Sequence, residues 1–250
     1  MYLGLGGSST HDMGTGIFMA LGGGLLDINS LPISKGGGGL LECEKINFVN
    51  LNPKIRSCKI ILAVDVDNPL LGKNGAAEIY SPQKGATPKM VKDLEIGSRK
   101  FAALVEKSTK KKNINIKGGG SAGGTSAGLY GLVNAEIENG FNILEKLVGF
   151  ESYIKSSDLV ISGEGHLDNQ SKHGKLINKI GILTKKNNKP LICISGKVSL
   201  NEKEYNSLGI SKAWASSPLN YPLQKSIENA YMLLKNKAEV AIKIYLNQKQ

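Results

Sequence analysis

The fold is indicated most clearly by residues 158–168, which read DLVISGEGHLD. The first half, Asp158–Ser162, is an apolar run that ends in a turn, as expected of a buried strand. The second half is a loop in which two glycines allow the backbone to turn sharply and to approach a ligand. Open α/β sheets bind their ligands at the carboxyl ends of the strands. Glu164 and Asp168 are therefore candidate site residues.

A second apolar run also leads into an acidic loop. Ile60–Val64 reads as a buried strand, and residues 65–69 (DVDNP) follow it. In an extended segment Asp65 and Asp67 lie on one side. Mg²⁺ usually takes one or two carboxylates together with phosphate oxygens and water, so this spacing suits it. The alternative is that residues 67–69 form only a turn.

A glycine cluster at residues 118–124 (GGGSAGG) satisfies the motif GxGxxG between a strand predicted at Ile114–Ile116 and a following helix. A dinucleotide site is one interpretation of this motif. The preceding strand is short and polar, however, which favours a helix N-terminus that accepts another kind of anion. The structural alternative is close packing of the backbone.

The rest of the chain predicts an α/β protein. From residue 158 onward strands and helices alternate, which is typical of a parallel sheet. We place a domain boundary near residue 157. The other predicted elements are the strands Met1–Leu5, Leu191–Gly196 and Lys212–Ala215 and the helices Met13–Leu21, Gly75–Tyr80, Thr87–Lys107, Gly140–Val148 and Ser226–Asn247.

Composition argues against a nucleic-acid partner despite a formal net charge of +11. The basic residues are almost all lysine, with arginine only at Arg56 and Arg99, whereas nucleic-acid readers favour arginine. Aromatic residues make up 6% of the 250 residues and are not interleaved with basic ones. A hydrophobic content of 40% predicts a globular fold.

The cysteines and the apolar runs indicate a cytoplasmic protein without a membrane partner. Cys43, Cys58 and Cys193 are far apart and form no CxxC pair, so reduced thiols are expected. No segment approaches the ~18 apolar residues of a spanning helix. The histidines His11 and His166, like His173, lack the spacing of metal ligands, and isolated histidines are more often surface or core residues.

Lys84 stands between Gln83 and Gly85 on a turn where it could meet a phosphate, although a solvated lysine is the commoner case. The chain has no GxxxxGK[ST] phosphate loop and lacks the protein-kinase motifs. A kinase with this sequence would need a different cradle for its nucleotide.

Taken together, six blocks resemble the bacterial glycerate kinases that lack a phosphate-loop motif. They occur in the family's order across nearly the whole chain. The resemblance implies ATP-dependent phosphorylation of the small molecule D-glycerate at its 2- or 3-hydroxyl. It also implies a flavodoxin-like domain built from both chain ends and an α/β domain inserted in the middle. The blocks are residues 4–12 (GLGGSSTHD), 65–70 (DVDNPL), 75–77 (GAA), 81–88 (SPQKGATP), 118–124 (GGGSAGG) and 163–168 (GEGHLD).

On this basis residues 1–157 are expected to form the inserted domain, and residues 158–250 the C-terminal part of the flavodoxin-like domain. Asp65 and Asp67 are expected near Mg²⁺. The expected catalytic residues are Glu164, Asp168, Lys84 and Asp12. The residues expected to bind ATP are Gly6, Gly7, Ser8, Gly118, Gly119, Gly120, Ser121, Gly123 and Gly124.

The chain departs from the family pattern at several positions. It has His11 where Asn is usual, Met13 where Gly is usual, and His166-Leu167 where Arg-Ile is usual. Family members begin well upstream, so we expect the first half of the flavodoxin-like domain to be missing. The alternatives are a non-catalytic remnant, one half of a split kinase that pairs with an N-terminal fragment, or a dinucleotide-binding protein.

Overall fold

The structure, a computed structural model, describes residues 1–172 and 176–247; His173 lies outside these ranges. The chain divides into two units, Met1–Ile143 and a second unit from Leu144 onward. Each unit contains a three-stranded parallel sheet with helices, so the predicted α/β class is confirmed.

In the first unit, the strands β1, β4 and β5 form a parallel sheet in the order β1-β4-β5, and β2 pairs antiparallel with β3. The elements in chain order are β1 (Tyr2–Gly4), α1 (Thr15–Ala20), β2 (Gly24–Leu26), α2 (Gly39–Glu42), β3 (Lys45–Asn47), α3 (Lys54–Ser57), β4 (Ile61–Ala63), α4 (Ala76–Tyr80), a 3-10 turn (Pro82–Lys84), α5 (Pro88–Thr109), α6 (Ser121–Leu132), β5 (Glu136–Glu138) and α7 (Gly140–Val148), which crosses the division between the units.

The long helix α5 supplies much of the core of this unit. It begins as predicted, with the Thr87 side chain accepting a hydrogen bond from the Met90 N–H and with Pro88 at the first helical position. Phe101 and Val105 are fully buried in one apolar cluster with side chains of β4 and α6. Because burial of each large apolar side chain contributes about 1.5–3 kcal/mol, these contacts fix the loops at the ends of the strands.

The strand predicted at Ile114–Ile116 was wrong, and so was the strand–loop–helix context expected for the glycine cluster. Residues Ile114–Ile116 form turns and not a strand, because the Glu106 carboxylate accepts the N–H groups of Asn113 and Ile114 and draws the chain back to α5. The third strand of the sheet is β5, which the sequence pattern does not indicate because two of its three residues are glutamates. The glycine cluster therefore follows a turn, and the strand–loop–helix context of a dinucleotide site is not found here.

In the second unit the strands form a parallel sheet in the order β10-β8-β6, and β7 pairs with β9. All five residues of β8 are buried, as expected of a central parallel strand. The elements are α8 (Phe150–Ser156), β6 (Val160–Ser162), β7 (His166–Leu167), a 3-10 turn (Asn169–Lys172), α9 (Leu176–Lys186), β8 (Leu191–Ser195), β9 (Lys197–Val198), α10 (Glu202–Ser207), β10 (Lys212–Ala215), α11 (Leu223–Glu228) and α12 (Ala230–Asn247).

Helix α8 is anchored within the second unit. The Glu151 carboxylate accepts hydrogen bonds from Lys186 Nζ at 3.2 Å and from Asn187 Nδ2 at 3.1 Å, both at the end of α9. The compact units therefore divide ahead of α8, whereas the sequence placed the boundary after residue 157. The assignment of residues 1–157 and 158–250 to an inserted and a flavodoxin-like domain stays a prediction.

The single helix predicted at Ser226–Asn247 is two helices. α11 ends at Glu228, and α12 begins at Ala230. The side-chain amide of Asn229, between the two helices, donates a hydrogen bond to the Lys225 carbonyl at 2.9 Å. None of the helices within residues 1–172 and 176–247 has the length and apolar character of a membrane span.

The second unit carries an exposed apolar surface on α11 and α12. Leu223 and Ile227 of α11 are 76% and 62% exposed, and Tyr231 in the first turn of α12 is 77% exposed. Leu223 and Ile227 are four residues apart and therefore lie on one face of α11. α12 nevertheless covers part of the sheet, since its Ala241 is buried with Ile192 and Ile194. Contiguous apolar surface of this kind promotes association.

We therefore predict that the purified chain self-associates as its concentration rises, as measured by light scattering. Replacing Leu223 and Ile227 by lysine should reduce the association, because the charges interrupt the apolar face. Ile28→Lys is the matched control, since Ile28 is an isolated side chain of the first unit that is 80% exposed. A stable monomer at every concentration would contradict the prediction.

Candidate active site

The carboxyl ends of β1 and β4 open into a cavity of about 170 Å³, here called the small cavity. Four segments of the first unit line it: the loop after β1, the loop after β4, the stretch from Tyr80 to Lys84, and the start of α6. From the predicted site the lining includes Gly6, Gly7, Ser8, Lys84, Ser121 and Gly123. The structure thus brings together residues that are up to 117 positions apart in the sequence, from Gly6 to Gly123.

Lys84 is held in a fixed position at this cavity. Its Nζ donates to Ser8 Oγ at 2.9 Å and to the Thr10 carbonyl at 2.7 Å. Because an ammonium group has three donors, these two bonds leave one for a ligand. Burial lowers the pKa of Lys84 by disfavouring its charged form, while the negative charge of Asp12 opposes this shift. A bound anion would stabilise the charged lysine further.

The start of α6 has an unusual backbone. Ala122, Gly123 and Gly124 are all left-handed, with φ of 52°, 66° and 83°. Successive N–H groups in such turns make concavities that bind anions. A left-handed alanine is strained, by about 1–2 kcal/mol. Strain of this kind persists only where the surrounding structure enforces it, and it is frequent at functional sites.

Other residues of the glycine cluster shape the loop without lining the cavity, namely Gly118, Gly119, Gly120 and Gly124. A Cβ at Gly120 would lie 2.3 Å from the Pro69 carbonyl oxygen. A Cβ at Gly123 would lie 2.3 Å from the Thr10 carbonyl oxygen. Close packing of the backbone is therefore part of the explanation for these glycines, and it brings α6 against the loop after β1.

Asp12, predicted to be catalytic, holds the start of α1. Its Oδ1 accepts the Gly14 N–H at 3.0 Å, and its Oδ2 accepts the Thr15 hydroxyl at 3.3 Å and the Gly16 N–H at 3.2 Å. The carboxylate is buried and does not line the small cavity. Next to it, Met13 is left-handed with φ of 52°, which fits the glycine expected there from the resemblance. A catalytic role for Asp12 stays a prediction.

Little in the sequence pointed to His11, which is buried beside the site. Its Nε2 lies 2.9 Å from Ser98 Oγ and its Nδ1 lies 3.2 Å from Ser81 Oγ. Burial, followed by the nearby charge of Lys84, lowers the pKa of His11 to about 4, although Asp12 opposes the shift. The neutral ring joins the loop after β1 to α5 and to the residue that begins the Lys84 turn. Its signal in the sequence is its place within the block of residues 4–12, at a position where the resemblance leads one to expect Asn.

Asp65 and Asp67 both have protein partners. Asp65 Oδ1 accepts the N–H of Gly140 at 3.1 Å, at the start of α7. Asp67 Oδ2 forms an ion pair with Lys117 Nζ at 3.1 Å, and both side chains are largely exposed. Neither aspartate lines the small cavity, and no cluster of three or more histidine, cysteine or acidic side chains poised for a metal occurs in the described ranges.

The Asp67 carboxylate nevertheless fits the role of one oxygen ligand to a metal ion that phosphate oxygens also coordinate. Its carbonyl accepts the Gly118 N–H at 3.4 Å, and the Asn68 carbonyl accepts the Gly120 N–H at 3.0 Å, so its loop is attached to the glycine cluster. An exposed ion pair contributes little free energy. Little free energy would therefore be lost if a bound cation replaced Lys117 as the partner of Asp67.

The second unit has a larger cavity of about 720 Å³ at the carboxyl ends of β6, β8 and β10. Glu164 lines it, and the Glu164 carboxylate accepts a hydrogen bond from the Ser171 hydroxyl. Asp168 does not line it, and its Oδ2 lies 3.6 Å from His166 Nδ1. The Ser171 N–H donates to the Asp168 carbonyl at 3.0 Å, so one serine connects both predicted acidic residues.

Comparisons with known proteins agree on one family. A family model described as the glycerate kinase family matches residues 1–246. The glycerate kinase of Halalkalibacterium halodurans is 36% identical over 94% of this chain and 62% of its own length. The glycerate 2-kinase of Escherichia coli K12 is 35% identical over 92% of this chain and 60% of its own length.

A crystal structure from Salmonella typhimurium LT2, assigned as glycerate kinase 2, superposes with a TM-score of 0.82 at 32% identity. The match covers 100% of this chain and 66% of that chain. This chain thus spans roughly 60% of the length of the curated relatives named above.

The buried imidazole of His11 predicts a pH dependence of stability. Between pH 6.5 and about 4 the His11 imidazole binds a proton in the unfolded state but stays neutral in the folded state. The free energy of unfolding should therefore fall by up to about 3 kcal/mol as the pH is lowered through this range. His11→Asn should flatten this part of the profile measured by urea unfolding.

Ser98→Ala is the control, because it keeps the buried ring and should keep the pH dependence. If the profile of His11→Asn matched that of the wild type between pH 6.5 and 4, a buried neutral His11 would be contradicted.

Proposed function

The chain belongs to the glycerate kinase family, and from this premise we propose that it takes part in the ATP-dependent phosphorylation of D-glycerate. The observation that supports this most directly is the small cavity, in which a fixed lysine faces a left-handed backbone turn. Both features bind phosphate oxygens, and neither requires a phosphate-loop motif. The position at the carboxyl ends of parallel strands is the usual ligand position in such sheets.

Phosphoryl transfer depends mainly on positioning and on stabilisation of negative charge. In the proposed site the third N–H of Lys84 donates to a phosphate oxygen, while the N–H groups at the start of α6 bind others. The bonds from Lys84 to Ser8 and Thr10 hold the ammonium in place before the ligand arrives. Preorganised donors of this kind stabilise developing charge without the cost of reorganisation.

We assign the proton acceptor for the substrate hydroxyl to Glu164. This carboxylate lines the cavity of the second unit, whereas Asp168 does not. A carboxylate that is held by a hydroxyl donor has a fixed orientation, which a general base needs. We assign Asp168 to the support of the loop, through its carbonyl bond to the Ser171 N–H.

Mg²⁺ is proposed as the partner of the nucleotide, with Asp67 as its protein ligand. The ion supplies neutralisation of the phosphate charge when bound. Asp65 has a structural task at α7 and is the weaker candidate. We place the reaction in the cytoplasm, where the free thiols of Cys43, Cys58 and Cys193 stay reduced.

The first test is turnover. The purified chain with MgATP and D-glycerate should yield phosphoglycerate, and the name of the Escherichia coli relative favours the 2-phosphate. Lys84→Met should lower kcat/KM about 10²-fold through the loss of one charged donor. Lys107→Met, an exposed lysine near the end of α5, is the control. ³¹P NMR separates the two products.

The assay is repeated with a co-expressed polypeptide that supplies the part of the relatives that this chain does not span, which should raise the rate. Absence of product in both assays would exclude the enzyme function and leave the non-catalytic remnant as the better description.

The second test concerns the metal. Asp67→Asn should raise the Mg²⁺ concentration required for half-maximal ATP binding about tenfold, since one anionic ligand is lost. The fold should stay intact because the side chain is exposed. Asp65→Asn should have a smaller effect, and Glu78→Gln on α4 should have none. If both aspartate variants kept the Mg²⁺ dependence of the wild type, the metal role would be contradicted and residues 65–69 would be only a turn.

A further inference from the structure

A second cavity in the first unit, of about 510 Å³, shares Lys84 with the small cavity. We call it the base cavity. It lies between the Lys84 turn, the loop before α2 and the first two turns of α5. Its lining combines residues of two sequence blocks, 4–12 and 81–88, with side chains of α5 that look like core residues in the sequence.

The lining of the base cavity is mostly apolar and carries one carboxylate. Leu41, Met90 and Leu94 provide the apolar wall. Met90 is 53% exposed. Asp93 also lines the cavity and has no hydrogen bond or ion pair within the part of the chain that the structure describes. An open apolar cleft with a single unpaired acceptor is typical of a site that orients a mainly flat, apolar ligand.

These properties do not fit D-glycerate. A three-carbon acid is polar on every side, so the apolar wall would offer it nothing, and Asp93 would oppose the attraction that Lys84 exerts on its negative charge. The cavity is also far larger than such a molecule requires. A nucleobase has two apolar faces for Leu41, Met90 and Leu94. It also has an edge on which an amino group can donate to a carboxylate.

We propose that the base cavity binds the amino-bearing base of the nucleotide whose phosphates occupy the small cavity. The proposal rests on the proposed function, since it assumes that the small cavity holds phosphate. Lys84 lines both cavities and stands where the phosphates meet the nucleoside. A volume of about 510 Å³ falls within the range of about 300–1,000 Å³ for pockets that bury a ligand of this size.

The test separates the base from the phosphates by comparing ATP with inorganic tripolyphosphate, which has no base. Each competes with a fluorescent ATP analogue for the full-length chain in excess Mg²⁺. Asp93→Ala should lower the affinity for ATP about tenfold through the loss of one charge-assisted hydrogen bond, and should leave the affinity for tripolyphosphate unchanged. Lys84→Met should weaken both. Glu78→Ala, which removes an exposed carboxylate outside either cavity, should change neither.

A second variant fills the cavity. Gly38 lines it, has an ordinary φ of −59°, and a Cβ there would meet no atom within 4 Å. Gly38→Phe should therefore fold. It should lower the affinity for ATP by more than tenfold and leave the affinity for tripolyphosphate unchanged. Gly165→Phe tests the rival site, because Gly165 lines the cavity of the second unit and also has open space.

The proposal is overturned if Gly165→Phe abolishes ATP binding and Gly38→Phe does not. It is also overturned if the base-cavity variants, Asp93→Ala and Gly38→Phe, lower the affinities for ATP and tripolyphosphate by the same factor. Absence of ATP binding, or ATP binding that neither variant alters, would overturn it as well. Its failure is distinguishable from that of the proposed function. Unaltered ATP affinity in the variants with phosphorylation of D-glycerate intact would overturn the base cavity alone. Base-dependent ATP binding without any phosphoglycerate would overturn the kinase function alone.

Discussion

The arrangement of the first unit depends on the placement of one ammonium group. Lys84 Nζ donates to Ser8 Oγ and to the Thr10 carbonyl at the carboxyl end of β1. Partial burial without an anionic partner is costly for a lysine, which is why its pKa is lowered. An anion bound in the small cavity would relieve that cost, which is why we propose the small cavity as a phosphate site.

The surrounding structure keeps the lysine in position through a neutral buried network. His11 lies between Ser98 on α5 and Ser81 at the start of the Lys84 turn. Burial, and then the charge of Lys84, disfavour a charged histidine here, which is why the pKa of the ring is low. The left-handed turn at Ala122–Gly124 completes the cavity only because Gly123 allows the Thr10 carbonyl to approach.

Much of the fold could be predicted from the sequence, because apolar runs such as Ile60–Val64 and the Thr87-Pro88 helix start report local physics. Elements that depend on partners could not be predicted. β5 is a three-residue strand with two glutamates, and Ile114–Ile116 is bent away from a strand by a distant carboxylate, Glu106. The helix break at Asn229 depends on an amide that folds back on Lys225.

The candidate site shows the same limit. The sequence identified the glycine loops and Lys84, whose cavity the structure forms. It could not show that Asp12 and Asp65 hold the starts of helices, because an aspartate in a loop after a strand looks the same in the sequence whether it binds a ligand or a helix N-terminus. Burial of His11 and exposure of Met90 are consequences of tertiary packing, which leaves no local pattern.

The claim that an anion binds Lys84 is tested most directly by NMR of its side chain. The pKa of Lys84 would be followed through the ¹³Cε shift, assigned by comparison with Lys84→Met, before and after addition of tripolyphosphate. We expect a lowered pKa in the free protein and a rise when the anion binds, since a nearby negative charge favours the ammonium. A pKa that stays unchanged while the anion is bound would contradict the assignment of the small cavity as the phosphate site.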